Sequence, residues 1–472
     1  MLFNSLEYAL FLLAMFVLFW GAARHRLLRT GLLLVGSWLF YMSWNASFIL
    51  LIVASTVLDY VVALRIAGTE RRGPRRALLA ASLFGNLGML CVFKYFDFFA
   101  RAVSQGLGHA GLHVTPVQLD LILPVGISFY TFQTLSYTID VYRRRITPTR
   151  SFLEFATFVA FFPQLVAGPI VRASEFLPQF DRKPTLDVQR AGEGVFLILR
   201  GLVKKVLLAD FMAANFIDRV WDDPGAYSSG ETWFATFAYN WQLYCDFSGY
   251  TDIARGSAML FGFALPENFR RPFNTTGPIE FWNNWHITLS SWIRDYVYIP
   301  LGGSRVGTTR MYVNLVVSFL AVGIWHGAGW TYVLFALWHA TTVALHRGIR
   351  QLRGVDRDAE TPLGRVPLVA LNLFLFTFHW VIFRAPDVAT MREFYARMFA
   401  GDFRAFRAPW TVVAAVLAIT VVHFTPRRWM EEAQRGMGRL PAVAQAAVVV
   451  AVVAALLWVG RGQAAPFIYF QF

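Results

Sequence analysis

The chain has 472 residues, of which 56% are hydrophobic, 17% aromatic and only 15% charged, and its mean hydropathy is +0.47. Because soluble domains carry about 25% charged residues, this composition excludes a soluble globular protein and predicts an integral membrane protein. The net charge of +14 is attributed to basic cytoplasmic loops and not to nucleic-acid binding, since no separate basic domain is present.

Apolar runs that approach the length of a spanning helix, about 20 residues, recur along the whole chain. They predict an all-α, polytopic membrane protein with roughly 11–13 transmembrane helices, organised as one membrane domain, 1–472. The segment Met1–Tyr8 has no basic residue, so we expect the first run to be retained and not cleaved as a signal peptide. The clearest runs are 5–23, 30–44, 46–66, 77–99, 122–141, 192–215, 232–249, 311–326, 330–347, 367–383, 409–424 and 442–460.

Arginine-rich loops follow the first, third and fifth runs and predict the orientation of the chain. Such loops stay in the cytoplasm, so the N-terminus is expected on the extracytoplasmic side. The loop 384–407 should then also lie outside, yet it carries five arginines and does not fit the rule.

The segment 152–171 interrupts this regular pattern, because Pro163, Gly168 and Pro169 break its apolar run. It predicts a re-entrant segment, which is tolerated at membrane depth only when protein or a wet cavity surrounds it. An ordinary kinked span is the alternative.

Three histidines between residues 240 and 340 directly follow tryptophans: His286, His326 and His339. His326 lies sixteen residues beyond Arg310, or roughly 24 Å along a helix, and so should be well inside a hydrocarbon core of about 30 Å. A neutral imidazole there could act as a general base toward a hydroxyl. The alternative is a buried histidine that only bonds a neighbouring helix.

The stretch 281–296 around His286 is too polar to span the membrane and too aromatic for a free loop. It predicts an interfacial helix that lines a cavity, with an anchoring aromatic belt as the alternative. His339 could face His326 or could be its hydrogen-bond partner. His379 and His423 have no motif and are assigned to packing. The other candidate site residues of this region are Asn283, Asn284, Trp285, Trp325 and Arg294.

The run 246–254 contributes Asp246 and Ser248 as further candidates. Capping and bonding between helices explain these two residues at least as well as catalysis does. No set of residues has the spacing of metal ligands, and no phosphate-binding loop, nucleophile elbow or dinucleotide fingerprint is present.

These motifs together resemble the membrane-bound O-acyltransferase (MBOAT) family, in the branch that includes the membrane subunit of alginate O-acetyltransferase. The resemblance runs over nearly the whole chain, although 351–440 carries no motif. Its motifs are Pro163-Gln-Leu-Val-Ala-Gly-Pro-Ile170, Asp246-Phe-Ser-Gly-Tyr-Thr-Asp-Ile253, Glu267-Asn-Phe269, 282–296, Trp325-His-Gly-Ala328 and Pro466-Phe-Ile-Tyr-Phe-Gln-Phe472.

The resemblance implies helices around a central tunnel and transfer of an acyl group from a thioester to a hydroxyl or amine. In this branch it implies acetyl transfer, with acetyl-CoA as donor and no bound cofactor, to an extracytoplasmic polysaccharide such as alginate, at the bacterial inner membrane. The family's two histidines match His326 and His286. A secreted or membrane-anchored esterase-like partner of the SGNH type is also implied. We assign the donor phosphates to Arg270, Arg271 and Arg294, although orientation alone could explain these arginines.

Three other functions remain open at this stage. A transporter or flippase for a polysaccharide precursor or lipid would also use broken helices and intramembrane polar groups. Two features argue against this function: the sequence has no visible internal repeat, and it contains the Trp-His pairs. A subunit that only holds a secreted enzyme at the membrane would not need His326. Transfer of D-alanine to teichoic acid would keep the chemistry and change the acyl group and the acceptor.

Overall fold

The computed structural model describes residues 1–354, 362–403, 406–459 and 467. Over these ranges the chain is helical and has no β strand, which confirms the predicted all-α class. Of the motif 466–472 only Phe467 is described, and 355–361 of the predicted loop 348–366 lie outside the described residues.

The helices follow one another closely along the chain. The α-helices are α1 (Leu6–Gly21), α2 (Arg26–Met42), α3 (Ile49–Ala67), α4 (Arg72–Leu90), α5 (Phe96–His109), α6 (Ile127–Tyr142), α7 (Phe152–Ala160), α8 (Phe162–Leu165), α9 (Ala173–Phe176), α10 (Val188–Leu202), α11 (Asp218–Asp222), α12 (Ser229–Leu260), α13 (Pro278–Trp282), α14 (Ile287–Ile293), α15 (Thr308–His326), α16 (Trp330–Leu352), α17 (Pro362–Arg384), α18 (Val388–Met398), α19 (Trp410–Phe424), α20 (Arg427–Arg439) and α21 (Ala442–Val459). Short 3₁₀ turns are Ala46–Phe48, Leu177–Asp181 and Pro224–Ala226, and π-helical segments are Cys91–Tyr95, Val203–Asp210, Ala213–Ile217 and Arg294–Tyr298.

Several described helices are long and apolar enough to cross a membrane, which confirms a multi-pass membrane protein. The bent pair α19 and α20, at 94°, adds one candidate span, and α1 and α21 are shorter apolar helices. The predicted number of 11–13 spans stays a prediction, because runs such as 192–215 contain charged side chains and others form short helices. The helices that qualify singly are Ala46–Ala67, Arg72–His109, Thr308–His326 and Gly364–Arg384.

The chain separates into two compact units. Unit 1 comprises Met1–Gly194 and Ala254–Pro266, and unit 2 comprises Val195–Ile253 and Glu267–Phe472. In unit 1, α3 packs against α4 and α6, and fourteen of the sixteen residues of α6 are buried. These helices bury polar side chains, which form hydrogen bonds with side chains of the neighbouring helices.

Asp59 of α3 is the centre of that buried polar network in unit 1. It accepts hydrogen bonds from Asn86 of α4 at 2.8 Å, from Thr138 of α6 at 2.9 Å and from Ser82. Such bonds stabilise helix association where no water is available. Asp59 is therefore a packing residue of three apolar helices.

The segment 152–171 is broken, as predicted. α7 ends at Ala160, α8 is only four residues long, and every residue from Phe155 to Val171 is buried. A Cβ on Gly168 would lie 2.4 Å from the Cα of Gln164, so the turn requires glycine. Irregular backbone surrounded by protein is what the membrane tolerates, while re-entry from one face stays a prediction.

The core of unit 2 forms where α16 packs against α13, α15 and α17. The antiparallel pair α15 and α16 is drawn close by Gly323, whose Cβ would lie 2.4 Å from the carbonyl oxygen of Tyr332. Phe319 and Val343 are among the buried residues between them. This pair carries two of the three Trp-His pairs, Trp325-His326 and Trp338-His339.

Two arginines of the loop 384–407, Arg384 and Arg397, form ion pairs with carboxylates within unit 2. The Arg384 guanidinium pairs with Asp218 at 2.7 Å and lies 4.8 Å from the ring centroid of Trp221. Arg397 pairs with Asp402 at 3.2 Å, and the backbone N–H of Arg407 donates to Glu231. The side of the membrane on which this loop lies stays a prediction.

Candidate active site

His326 is the last residue of α15 and is 96% buried. Its imidazole contacts the rings of Trp325, Phe335 and Phe383, with centroids 4.9, 5.5 and 5.1 Å away. The surrounding aromatic rings exclude water from the imidazole, as the predicted membrane location requires.

The turn after His326 is held by the close approach of Gly327 to Tyr332. A Cβ on Gly327 would lie 2.0 Å from a carbon of the Tyr332 ring. The Gly327 backbone is extended, with φ near −169°, so space and not conformational freedom requires glycine here.

Replacing Gly327 with alanine is expected to destabilise the protein by about 1–3 kcal/mol, because the added methyl must push the Tyr332 ring away. Gly329→Ala is the matched control, since its Cβ would meet nothing closer than 3.5 Å and its backbone is also extended. The melting temperatures of both variants in detergent test this. Equal melting temperatures would contradict it.

His286 adopts a left-handed backbone conformation, with φ 42° and ψ 54°, directly before α14. A non-glycine residue rarely adopts this conformation, and it persists only where neighbouring contacts impose it. Those contacts come from Asn268. Its carbonyl oxygen accepts from the N–H of Ile287 at 3.0 Å, and its Oδ1 accepts from the Thr288 hydroxyl at 2.7 Å. The 267–269 motif therefore shapes the turn that carries His286.

Trp325 lies between the two predicted catalytic histidines. Its ring centroid is 5.6 Å from that of His286 and 4.9 Å from that of His326. The Phe247 ring of the 246–253 motif contacts the other side of His286 at 4.7 Å. Burial lowers the pKa of His286, which lies outside the candidate spanning helices, to about 3, so this imidazole is neutral at physiological pH. The structure thus brings three separate motifs to one aromatic, buried site.

His339 of α16 lies next to this site and forms a pair with His379 of α17. Their ring centroids are 4.5 Å apart, and the Phe335 ring contacts His326, His339 and His379. In the described part of the chain, neither nitrogen of His339 or of His379 has a hydrogen-bond partner. Sequence reasoning assigned His379 to packing, although an ionisable residue inside an apolar run was itself the signal.

Asp246 and Ser248 belong to a buried ionic network. The Lys205 ammonium bridges Asp246 and Asp210, at 2.5 and 2.8 Å, and Lys204 contacts Ser248 at 3.2 Å. Lys204 and Arg200 both pair with Asp252. The polar residues of 246–253 therefore bond α12 to the end of α10 and to the π-helical segment Val203–Asp210. This fits the alternative of capping and bonding between helices. Sequence reasoning missed Arg200, Lys204, Lys205 and Asp210.

The remaining candidates around the site are aromatic or exposed. Trp285 is buried and stacks on Phe281, whereas Asn283 is exposed and the Asn284 side chain donates to its own helix at Glu280.

The three candidate arginines lie nearer the surface. Arg270 and Arg294 have side chains 55% and 60% exposed and pair with Glu267 and Asp295. Arg271 is partly buried, with φ 51°. Burial, with Arg427 nearby, lowers the pKa of Arg271. Among the described residues, no three His, Cys, Asp or Glu side chains are grouped so that they could hold a metal ion.

The model of one protein family matches 143–385, just over half of the chain, and this range contains every histidine of the site. Its description is membrane-bound O-acyltransferase family. The chain belongs to this family. The membrane-bound O-acyltransferase assignment makes the protein an O-acyltransferase, as predicted.

Curated relatives agree with the family assignment. A "probable alginate O-acetylase" of Pseudomonas putida is 34% identical, over 94% of both chains. A peptidoglycan O-acetyltransferase of Helicobacter pylori is 36% identical, over 75% of this chain and 71% of the relative. A teichoic acid D-alanyltransferase of Streptococcus thermophilus is 28% identical, over 55% and 66%. The relatives thus share O-acyl transfer and differ in acyl group and acceptor.

Proposed function

We propose that this membrane-bound O-acyltransferase moves an acetyl group from cytoplasmic acetyl-CoA across the membrane for O-acetylation of an extracytoplasmic polysaccharide such as alginate. The observation that carries the proposal is the buried site in which the rings of His286 and His326 both contact the ring of Trp325. The whole chain, 1–472, would act as one membrane domain, because the family match includes residues of both compact units.

The proposed chemistry needs one proton carrier in a site without water. His326 takes the proton of the acceptor hydroxyl, and the resulting oxygen attacks the thioester carbonyl carbon. The carbon–sulfur bond then breaks, and the imidazolium returns the proton to the leaving thiolate. The products are an ester and a free thiol. Alternatively, His326 carries the acyl group itself before passing it to the hydroxyl. Water exclusion in either case limits hydrolysis of the thioester.

The donor would enter from the face that carries Arg270, Arg271 and Arg294. Arg270 and Arg294 are more than half exposed, so they can exchange a neighbouring carboxylate for the phosphates of coenzyme A. We propose that this face is cytoplasmic, that the N-terminus is extracytoplasmic, and that the membrane is the bacterial inner membrane. The path from these arginines to His326 would be the central tunnel predicted from the sequence.

The acceptor is proposed from the relatives. Those named for alginate O-acetylation reach 39% identity, whereas a teichoic acid D-alanyltransferase reaches 28% over a shorter range. We therefore favour acetyl transfer to alginate, with an esterase-like partner of the SGNH type completing the transfer outside. D-Alanyl transfer to teichoic acid is the second candidate, and membership of an acyltransferase family disfavours a polysaccharide-precursor or lipid transporter.

The test supplies the purified protein, in proteoliposomes, with one labelled donor at a time. The donors are acetyl-CoA, palmitoyl-CoA and a D-alanyl carrier protein, and the acceptor is an alginate oligosaccharide with or without the purified esterase-like partner. We expect labelled ester and stoichiometric free thiol only with acetyl-CoA. Labelling only from the D-alanyl carrier would establish the second candidate instead. No donor-dependent thiol release under any condition would overturn the proposal.

A further inference from the structure

Unit 1 contains a cavity that takes no part in the proposed acyl transfer. Its volume is about 180 Å³. This is smaller than the roughly 300–1,000 Å³ of pockets for drug-sized ligands, so it suits a small polar group. Its walls are the end of α1, the start of α2, the segment 179–191 and the end of α12.

Cations dominate the polar lining of this cavity. Four basic residues line it, Arg29, Arg182, Lys183 and Arg190, against one acidic residue, Asp187. The Asp187 carboxylate caps α10, because it accepts a hydrogen bond from the backbone N–H of Arg190 at 3.1 Å. None of the four cations forms an ion pair with a carboxylate in the part of the chain that the structure describes.

Arg29 is the most informative of these residues, because only 9% of it is exposed. Its guanidinium donates to the carbonyl oxygens of Ala23 at 3.1 Å and Phe180 at 3.3 Å. The nearby carboxylates Glu154 and Asp181 pair instead with Arg26. A buried charge is costly unless an opposite charge compensates it, and carbonyl oxygens supply no such charge.

The positive-inside rule explains exposed arginines at the membrane surface, but it does not explain a buried arginine that faces a basic cavity. An anionic ligand would account for the excess of cations that line the cavity. The first turn of α10, whose N-terminus the Asp187 carboxylate already caps, also borders the cavity. Phe19, Leu33 and Phe261 form an apolar wall beside the cations.

We propose that this cavity binds a phosphate group, as a phosphomonoester or diphosphate, through Arg29, Lys183 and Arg190. Two kinds of ligand could supply this phosphate group. One is the headgroup of an anionic phospholipid, whose acyl chain would continue along the apolar wall, and the other is a soluble phosphate compound. The site is separate from the Trp-His residues, and its existence does not depend on the acyl-transfer proposal.

The test measures binding to the full chain, purified in a neutral detergent and phosphate-free buffer, by titration calorimetry. The probes are dihexanoyl phosphatidic acid and inorganic pyrophosphate, with dihexanoyl phosphatidylcholine, a zwitterionic lipid of zero net charge, as the comparison. The main variant is Lys183→Gln with Arg190→Gln, since Arg29→Gln would also release backbone carbonyls and could unfold the protein. The matched control is Arg71→Gln with Arg72→Gln, which removes the same charge from exposed positions outside the cavity.

We expect phosphatidic acid to bind more tightly than phosphatidylcholine, and the main variant to weaken binding at least about tenfold, while the control binds as the wild type does. Binding of phosphatidic acid alone would identify a lipid headgroup site. Binding of pyrophosphate in competition with phosphatidic acid would identify a site for soluble phosphate. The proposal is overturned if neither probe binds, or if the main variant binds as tightly as the control.

Discussion

Replacing His326 with alanine should reduce acyl transfer by at least about 100-fold, because the acceptor hydroxyl would lose the group that removes its proton. The loss should appear in the turnover rate at saturating donor, since His326 lies in an aromatic, buried site and not among the exposed arginines. Free thiol release and ester formation should fall together. The measurement is transfer of labelled acetyl per folded molecule, with variants matched for membrane abundance.

A buried histidine outside the site controls for the cost of the substitution itself. His423 is the residue before the last of α19, and like His326 it is buried among aromatic rings. His423→Ala should lower stability and keep transfer per folded molecule within about threefold of the wild type, since no proton of the reaction depends on it. His286→Asn should lose transfer as well, because asparagine tolerates the left-handed backbone but has no imidazole.

Full activity of a folded His326→Ala variant would contradict this mechanism. It would favour the reading in which the chain only holds a secreted transferase at the membrane. If the His326 variant lost transfer and the His286 variant kept full activity, His326 would remain the proposed general base and His286 would have no role in the reaction.

Replacing Lys205 with methionine should lower the free energy of unfolding by about 3–5 kcal/mol. Lys205 is 4% exposed and compensates two carboxylates, Asp210 and Asp246. Without the ammonium, the buried carboxylate of Asp246 and the partly buried carboxylate of Asp210 have no lysine between them. Thermal unfolding of the detergent-solubilised protein measures the effect.

Neutralising the carboxylates tests whether charge, and not the shape of Lys205, causes the loss. Asp210→Asn and Asp246→Asn added to Lys205→Met should recover most of the stability, because a fully neutral set of similar volume is often as stable as the ionic one. The single variant melting at the wild-type temperature would show that the network contributes little. A triple variant as unstable as the single one would assign the loss to packing.

The sequence indicated the candidate histidines and the class of reaction more directly than the residues that contact and position these histidines. The Trp-His pairs singled out His286, His326 and His339, which the structure places in or next to one buried aromatic site, while their catalytic roles stay predictions. The roles of Asn268 and Phe247 could not be predicted, because their partners Ile287, Thr288 and His286 are distant in sequence and become adjacent only after folding. Arg200, Lys204, Lys205 and Asp210 were visible as charges in the run 192–215, but they were counted as part of a span and not as partners of 246–253.

The charged lysines of unit 2 lie in a π-helical segment, Val203–Asp210, and a second such segment, Ala213–Ile217, follows almost at once. A π-turn holds one more residue than the α-helical turn that it interrupts. Deleting a single residue there would restore a regular helix and rotate every later side chain, so that Lys204 and Lys205 could not both reach Asp252 and Asp246. Homologous chains should therefore accept changes of side chain in this stretch more readily than changes of length, and alignments should show few gaps between residues 200 and 217.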